Sequence, residues 1–313
     1  MSGTGSGWQF GMSGVDLFFI ISGFIMCHIT AEREASARVF LWARVKRIIP
    51  LYWTLSLIAL VVFLVSPKMV NSSGGVTTII NSFTLIPDGK KFLIQNGWTL
   101  SYEFLFYLLF AAVLWLPRSL RFGSVVIALC GLVAIGAIWQ PANATLKFAT
   151  GPLLLEFVMG IGAYVYIRQP RHYLTIDAGL VLAGVAILTE SFWAFNVQNR
   201  VLFYGLPYAM IFAGFVSLEP IIRRGRNSWA TRALETIGEA SYSIYLFHPF
   251  ALSVLGIVVK KLHIQNIPPF SVAVMVSGSL VAGYACYIFV ERNISRILMN
   301  LSGRRLITSA DLT

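Results

Sequence analysis

The sequence predicts an all-α protein: a polytopic transmembrane bundle of about nine helices. Composition is the first reason. Of 313 residues, 57% are hydrophobic and only 12% are charged, whereas soluble domains carry about 25% charged residues. So little charge cannot cover a globule of this size in water, which excludes a soluble enzyme, a disordered chain and a fibrous protein. The second reason is spacing, because apolar runs of roughly 17–21 residues recur along the chain and leave no room for a separate soluble domain. Third, these runs are continuous and lack the alternation of barrel strands, so the backbone must be satisfied as helix.

The spans in order are 14–30, 50–66, 98–116, 123–139, 148–167, 176–194, 201–218, 240–259 and 270–290. Each is close to the ~20 residues that cross about 30 Å of hydrocarbon. Residues 1–13 form a Gly/Ser-rich external tail without the basic start or apolar centre of a cleavable signal. Residues 14–291 form the membrane domain and 292–313 a cytoplasmic tail. Connections 31–47, 117–122, 168–175 and 219–237, with the tail, hold 17 of the 24 Lys and Arg. The positive-inside rule therefore puts the amino terminus outside and the carboxyl terminus inside. The net charge of +11 is accounted for in the same way and is no sign of nucleic acid. The longest external connection, 67–97, is rich in Asn, Ser, Thr and Gly and reads as a solvated loop. Trp53, Trp98, Trp115 and Trp139 fit an interfacial belt. Cys27, Cys130 and Cys286 lie inside apolar runs, without metal or redox spacing, and read as buried small hydrophobes.

Ionisable residues inside a span are candidates for function because lipid gives them no solvation. Asp16, at the outer end of the first span, suits a catalytic carboxylate or a helix-end cap. Glu103 lies more than a turn inside the third span, with Thr99 and Tyr107 on its face. It reads as a general base, or the orienter of one, or as a hydrogen-bonded strut. Glu156 and Glu190 carry no motif and read as packing or lumen-facing groups. Ser241, Tyr245 and His248 form a polar stripe ending at Pro249, where a kink is expected. Arg44 and Arg47, three apart at the cytoplasmic mouth, suit phosphate recognition or ordinary positive-inside charge. His28, His172 and His263 lie near span ends and read as interfacial.

Four ordered blocks carry a resemblance. They are Gly14-Val-Asp16-Leu-Phe-Phe-Ile-Ile-Ser22-Gly23-Phe24, Arg44-x-x-Arg47-Ile-x-Pro50-x-Tyr52, Trp98-Thr-Leu-Ser-x-Glu103-x-x-Phe106-Tyr107 and Ser241-x-Ser243-x-Tyr245-Leu-x-His248-Pro249. Together they resemble the integral-membrane acyltransferase 3 family, and most of all its exopolysaccharide O-acetylating branch. The resemblance implies transfer of an acyl group, usually acetyl, from cytoplasmic acyl-CoA to a glycan or lipid-linked oligosaccharide hydroxyl. It implies no metal and a place in the bacterial inner membrane, within reach of a polysaccharide assembly complex. Arg44 and Arg47 would bind the anionic CoA end, Glu103 and Asp16 would line the acceptor side, and His248 would contribute to the cavity. Family members begin with one further helix carrying an Arg and a His, which does not precede Gly14 here. That departure implies either a reading frame extending upstream, with ten spans and both termini inside, or a truncated form that is inactive or uses His248. A transporter for a lipid-linked glycan and a non-catalytic partner of polysaccharide assembly are the rival functions.

Overall fold

Each of the nine apolar segments forms a helix in the computed structural model, which describes residues 6–32, 36–70, 74–169, 173–194, 199–219, 229–263 and 267–302. His172, the connection 220–228 and the end of the tail, 303–313, lie outside the described residues. The elements are α1 (Ser6–Glu32), α2 (Ala37–Val65), α3 (Pro67–Val70), α4 (Ile79–Thr84), α5 (Gly97–Val113), α6 (Arg118–Trp139), α7 (Ala144–Ala149) and α8 (Leu154–Ile167). There follow α9 (Leu174–Ala194), a π-helical turn (Val201–Gly205), α10 (Leu206–Ser217), α11 (Trp229–Lys261), α12 (Pro268–Cys286), a second π-helical turn (Tyr287–Glu291) and α13 (Arg292–Ser302). Among the described residues seven helical stretches are long and apolar enough to cross a membrane, and Gly97–Val113 and Val201–Ser217 are shorter apolar helices. Among the described residues the extended backbone amounts to one isolated bridge, Thr77 to Lys91.

The structure corrects the expected boundaries in several places. Helix α1 starts at Ser6, within the expected external tail 1–13, and α11 starts at Trp229 rather than 240, because short polar stretches can extend a helix beyond its apolar run. Helix α2 starts at Ala37 rather than Pro50, so Arg38, Arg44 and Arg47 lie on a helix and not in a loop. Hydropathy alone marks only the apolar run, while the basic stretch before it is made of good helix formers. The connection 67–97 is folded rather than merely solvated. Asn81 and Ser82 are buried, Asn81 donates to the Lys90 and Lys91 carbonyls, and the Ser82 hydroxyl accepts from Leu93 N–H at 2.8 Å. The fifth span is broken into α7 and α8. Gly151 lies at that break because a Cβ there would fall 2.3 Å from the Tyr102 hydroxyl. One smaller correction concerns a side chain: Cys130 is exposed on its helix. Trp98 packs edge-on against Phe19 and Tyr102.

The chain divides into two units: Met1–Leu41 with Ile86–Gly89 and Trp98–Arg226, and Trp42–Leu85 with Lys90–Gly97 and Asn227–Thr313. In the first unit α1 lies along α8. Their backbones approach so closely that a Cβ on Gly23 would sit 2.3 Å from the Phe157 carbonyl oxygen, and one on Gly160 2.0 Å from that of Ile20. Small residues at such crossings let helices gain van der Waals contact where lipid offers no hydrophobic drive. The same device joins α9 to α10, where Gly184 faces the Pro207 carbonyl and Gly214 that of Asp177. Beside the α1–α8 crossing, Phe157 stacks on Phe106 (centroids 4.4 Å apart) and meets Phe19 (4.8 Å). In the second unit Gly283 of α12 lies against Ile244 of α11, and Gly278 against Leu255. Val65, Trp115, Ile138 and Trp139 are largely exposed, as expected of side chains that meet lipid.

Replacing Gly160 by Ala should force α1 and α8 apart and lose about 1–3 kcal/mol, the usual range for overpacking. Gly162→Ala, where nothing lies within 4 Å of the new Cβ, should leave stability unchanged. Thermal unfolding of the two detergent-solubilised variants compares them directly, and equal midpoints would remove the crossing from the account of the fold.

Candidate functional site

Glu103 sits on α5 and is almost completely buried, at 4% exposure. Its Oε1 accepts a hydrogen bond from the Ser22 hydroxyl of α1 at 3.0 Å and another from the Tyr107 hydroxyl one turn along α5. Two hydroxyl donors at one oxygen hold the carboxylate in a fixed direction. The pairing with Tyr107 follows from their spacing, whereas Ser22 comes from another helix. The Ser-Gly-Phe block of α1 thereby acquires a physical reading. Ser22 reaches Glu103, Gly23 admits the α8 backbone, and Phe24 packs edge-on against Phe212 and Tyr164.

Asp16 does not cap a helix end, because α1 begins at Ser6. It is fully buried, and Arg200 grips it with two bonds, Nε to Oδ1 and Nη2 to Oδ2, both 2.9 Å. Arg200 precedes the π-helical turn Val201–Gly205, and its side chain is 20% exposed. Sequence reasoning missed it as a partner, since it stands outside the apolar run and counts only as one of the few basic residues on the outer side. Nearby, the Ser13 and Tyr208 hydroxyls share a hydrogen bond of 2.9 Å. Glu156 lies in the first turn of α8, fully buried, beside the Asp16 carboxyl. Glu190 is exposed.

In the second unit Arg44 is half-buried and Arg47 exposed on α2, one turn apart. The charge of Glu291, in the π-helical turn Tyr287–Glu291, faces Arg47. Ser243 donates to Glu291 Oε2, and the Tyr242 hydroxyl donates to the Ile48 carbonyl at 2.8 Å, tying α11 to α2. Tyr242 and Ser243 supply the polar contacts at the start of the fourth block, while Ser241 is exposed.

His248 shows why a proline follows it. Pro249 lies inside the unbroken α11 and has no N–H, so the Tyr245 carbonyl one turn back loses its helical donor. That carbonyl takes His248 Nδ1 at 2.6 Å and Asn96 Nδ2 at 2.7 Å instead. A carbonyl only accepts, so Nδ1 carries the hydrogen, and in the neutral ring Nε2 holds the lone pair. The helix runs on through Pro249, and the missing donor serves to orient the imidazole.

Both the buried carboxylates and the paired arginines stand on spans of an acyltransferase. The chain belongs to the acyltransferase 3 family, whose model, described as an acyltransferase domain, matches residues 1–288, and it is a multi-pass membrane protein. It is similar to the exopolysaccharide production protein ExoZ of Rhizobium meliloti (strain 1021), with 30% identity over an alignment of 323 positions that covers 96% of each chain. No solved structure matches it.

Arg200→Met leaves Asp16 as a buried charge without its counter-ion and should destabilise the protein by about 3 kcal/mol. Adding Asp16→Asn should restore part of that loss, which a double-mutant cycle in thermal unfolding would show; strict additivity would mean the ion pair contributes nothing. Pro249→Ala returns a donor to the Tyr245 carbonyl. The Nδ1 hydrogen of His248 should then lose its fixed partner, and the imidazole 15N shifts should move toward a mixture of tautomers. Unchanged shifts would detach Pro249 from the orientation of the ring.

Proposed function

We propose that this protein transfers a short acyl group, acetyl foremost, from cytoplasmic acyl-CoA to a hydroxyl of an exopolysaccharide or its lipid-linked precursor, in the bacterial cytoplasmic membrane. The observation that carries this reading is Glu103, a buried carboxylate oriented by the hydroxyls of Ser22 and Tyr107. A sugar hydroxyl holds its proton tightly and needs a base as its oxygen attacks a thioester. Glu103 supplies that base, while Asp16 and Arg200 fix the outer end of α1. The acceptor oxygen bonds to the acyl carbon, the carbon–sulfur bond breaks, and sulfur leaves with the electron pair and gains a proton. Arg44 and Arg47 hold the phosphates of the donor by paired N–H contacts. In a two-step route the lone pair of His248 Nε2 takes the acyl group first. Shielding by the lipid-embedded helices limits hydrolysis of the donor. The name of the relative from Rhizobium meliloti supports an exopolysaccharide acceptor and a place beside the polysaccharide assembly machinery.

Membranes containing the protein, given labelled acetyl-CoA, should move label to glycan. Glu103→Gln and the pair Arg44→Ala/Arg47→Ala should each lower that transfer by at least about 100-fold, the range of a lost general base, with membrane insertion intact. Normal acetate content from both variants would refute the assignments. Movement of glycan without label would identify a transporter instead.

A further inference from the structure

Two carboxyl groups and one guanidinium meet at the end of the first unit that the basic-residue count assigns to the outside. Arg200 spends both of its aligned bonds on Asp16. Glu156 is fully buried, and among the described residues no hydrogen-bond donor reaches either of its side-chain oxygens. Its polar neighbour is the Asp16 carboxyl from α1. The space beside it is made by Gly205, where a Cβ would fall 3.1 Å from Glu156 Cγ and 3.3 Å from Oε1. The other titratable groups around the cluster are Tyr102 from α5, Tyr204 from the π-helical turn and Tyr208 from α10. The cluster holds one cation for two carboxyls, and two carboxyl oxygens face each other with nothing to join them except a proton. A second carboxylate here would have to share the one guanidinium already bound to Asp16, which burial in lipid disfavours.

We propose that Glu156 is the proton-exchanging residue of the acyl transfer, with Arg200 as the positioning residue that holds the Asp16 carboxyl beside it. This rests on the acyl-transfer reading above. Glu103 takes the proton of the acceptor O–H as the acceptor oxygen bonds to the acyl carbon. Glu156 gives its own proton to the departing sulfur as the carbon–sulfur bond breaks, and the proton held by Glu103 then replaces it. A strut with no proton to exchange would be served better by an amide, which donates to Asp16 permanently. The Glu156→Gln variant therefore separates the two roles.

The wild-type protein in its native membrane is treated with dicyclohexylcarbodiimide, an apolar reagent that couples to protonated carboxyl groups, and mapped by peptide mass spectrometry. An adduct on Glu156 and none on Asp16 is expected. Glu156→Gln should keep or raise the thermal midpoint and lower transfer of labelled acetyl by about 100-fold or more, with the KM for acetyl-CoA unchanged. An unlabelled Glu156, or a Glu156→Gln protein transferring at the wild-type rate, overturns the proposal. Wild-type protein that labels at Glu156 yet transfers nothing from acetyl-CoA overturns the functional reading, and with it the part of Glu156 in transfer. Labelling needs no variant, so a Gln variant that fails to fold leaves the question decidable.

Discussion

A carboxylate buried in a membrane protein has no water to turn to, and its partners must come from the protein itself. That constraint governs how α1 is placed. Asp16 and Gly23 are seven residues apart and so share a face. The glycine lets the backbone of α8 approach within the reach of a missing Cβ. Close approach then brings Asp16 beside Glu156, while Ser22 reaches Glu103 on α5. A larger residue at Gly23 would separate the backbones and with them the carboxyl groups. Packing and chemistry at this end of the unit are one problem, solved by a single short block of sequence.

Much of this was legible beforehand, and the failures have physical causes. The helical character of the nine apolar segments follows from their length, because lipid enforces a simple rule on any chain that crosses it. Asp16 and Glu103 stood out because a charge inside an apolar run is rare. Arg200 did not, because hydropathy measures a residue against its sequence neighbours and its partner is 184 positions away. Glu156 was visible, but its importance depends on Asp16 and Gly205, which no local pattern connects to it. The folded connection 67–97 was misread for a related reason. Asn81 and Ser82 look like solvent-facing polar residues until their bonds to the Lys90 carbonyl and the Leu93 amide are seen.

In the second unit a backbone group freed by proline does similar work. Removing one N–H from a helix in lipid ordinarily leaves a carbonyl that something must satisfy. Here the Tyr245 carbonyl is satisfied by an imidazole and an amide, so a defect in the helix becomes a means of fixing a side chain. The π-helical turn at Tyr287–Glu291 belongs to the same class of local irregularity, often found at functional sites. It carries Glu291 to Ser243 and toward Arg47. The proline and the π-helical turn each depart from regular helix where a polar side chain has to be aimed.

Each unit gives its carboxyl groups partners of its own. The first sets Asp16 and Glu156 beside the guanidinium of Arg200 and holds Glu103 by two hydroxyls. The second presents Arg44 and Arg47 one turn apart, with Glu291 as a carboxylate already facing Arg47. Glu291 Oε2 also accepts from Ser243, so this carboxylate is fixed by a hydroxyl and balanced by a guanidinium, the two kinds of partner that Glu103 and Asp16 have separately in the first unit.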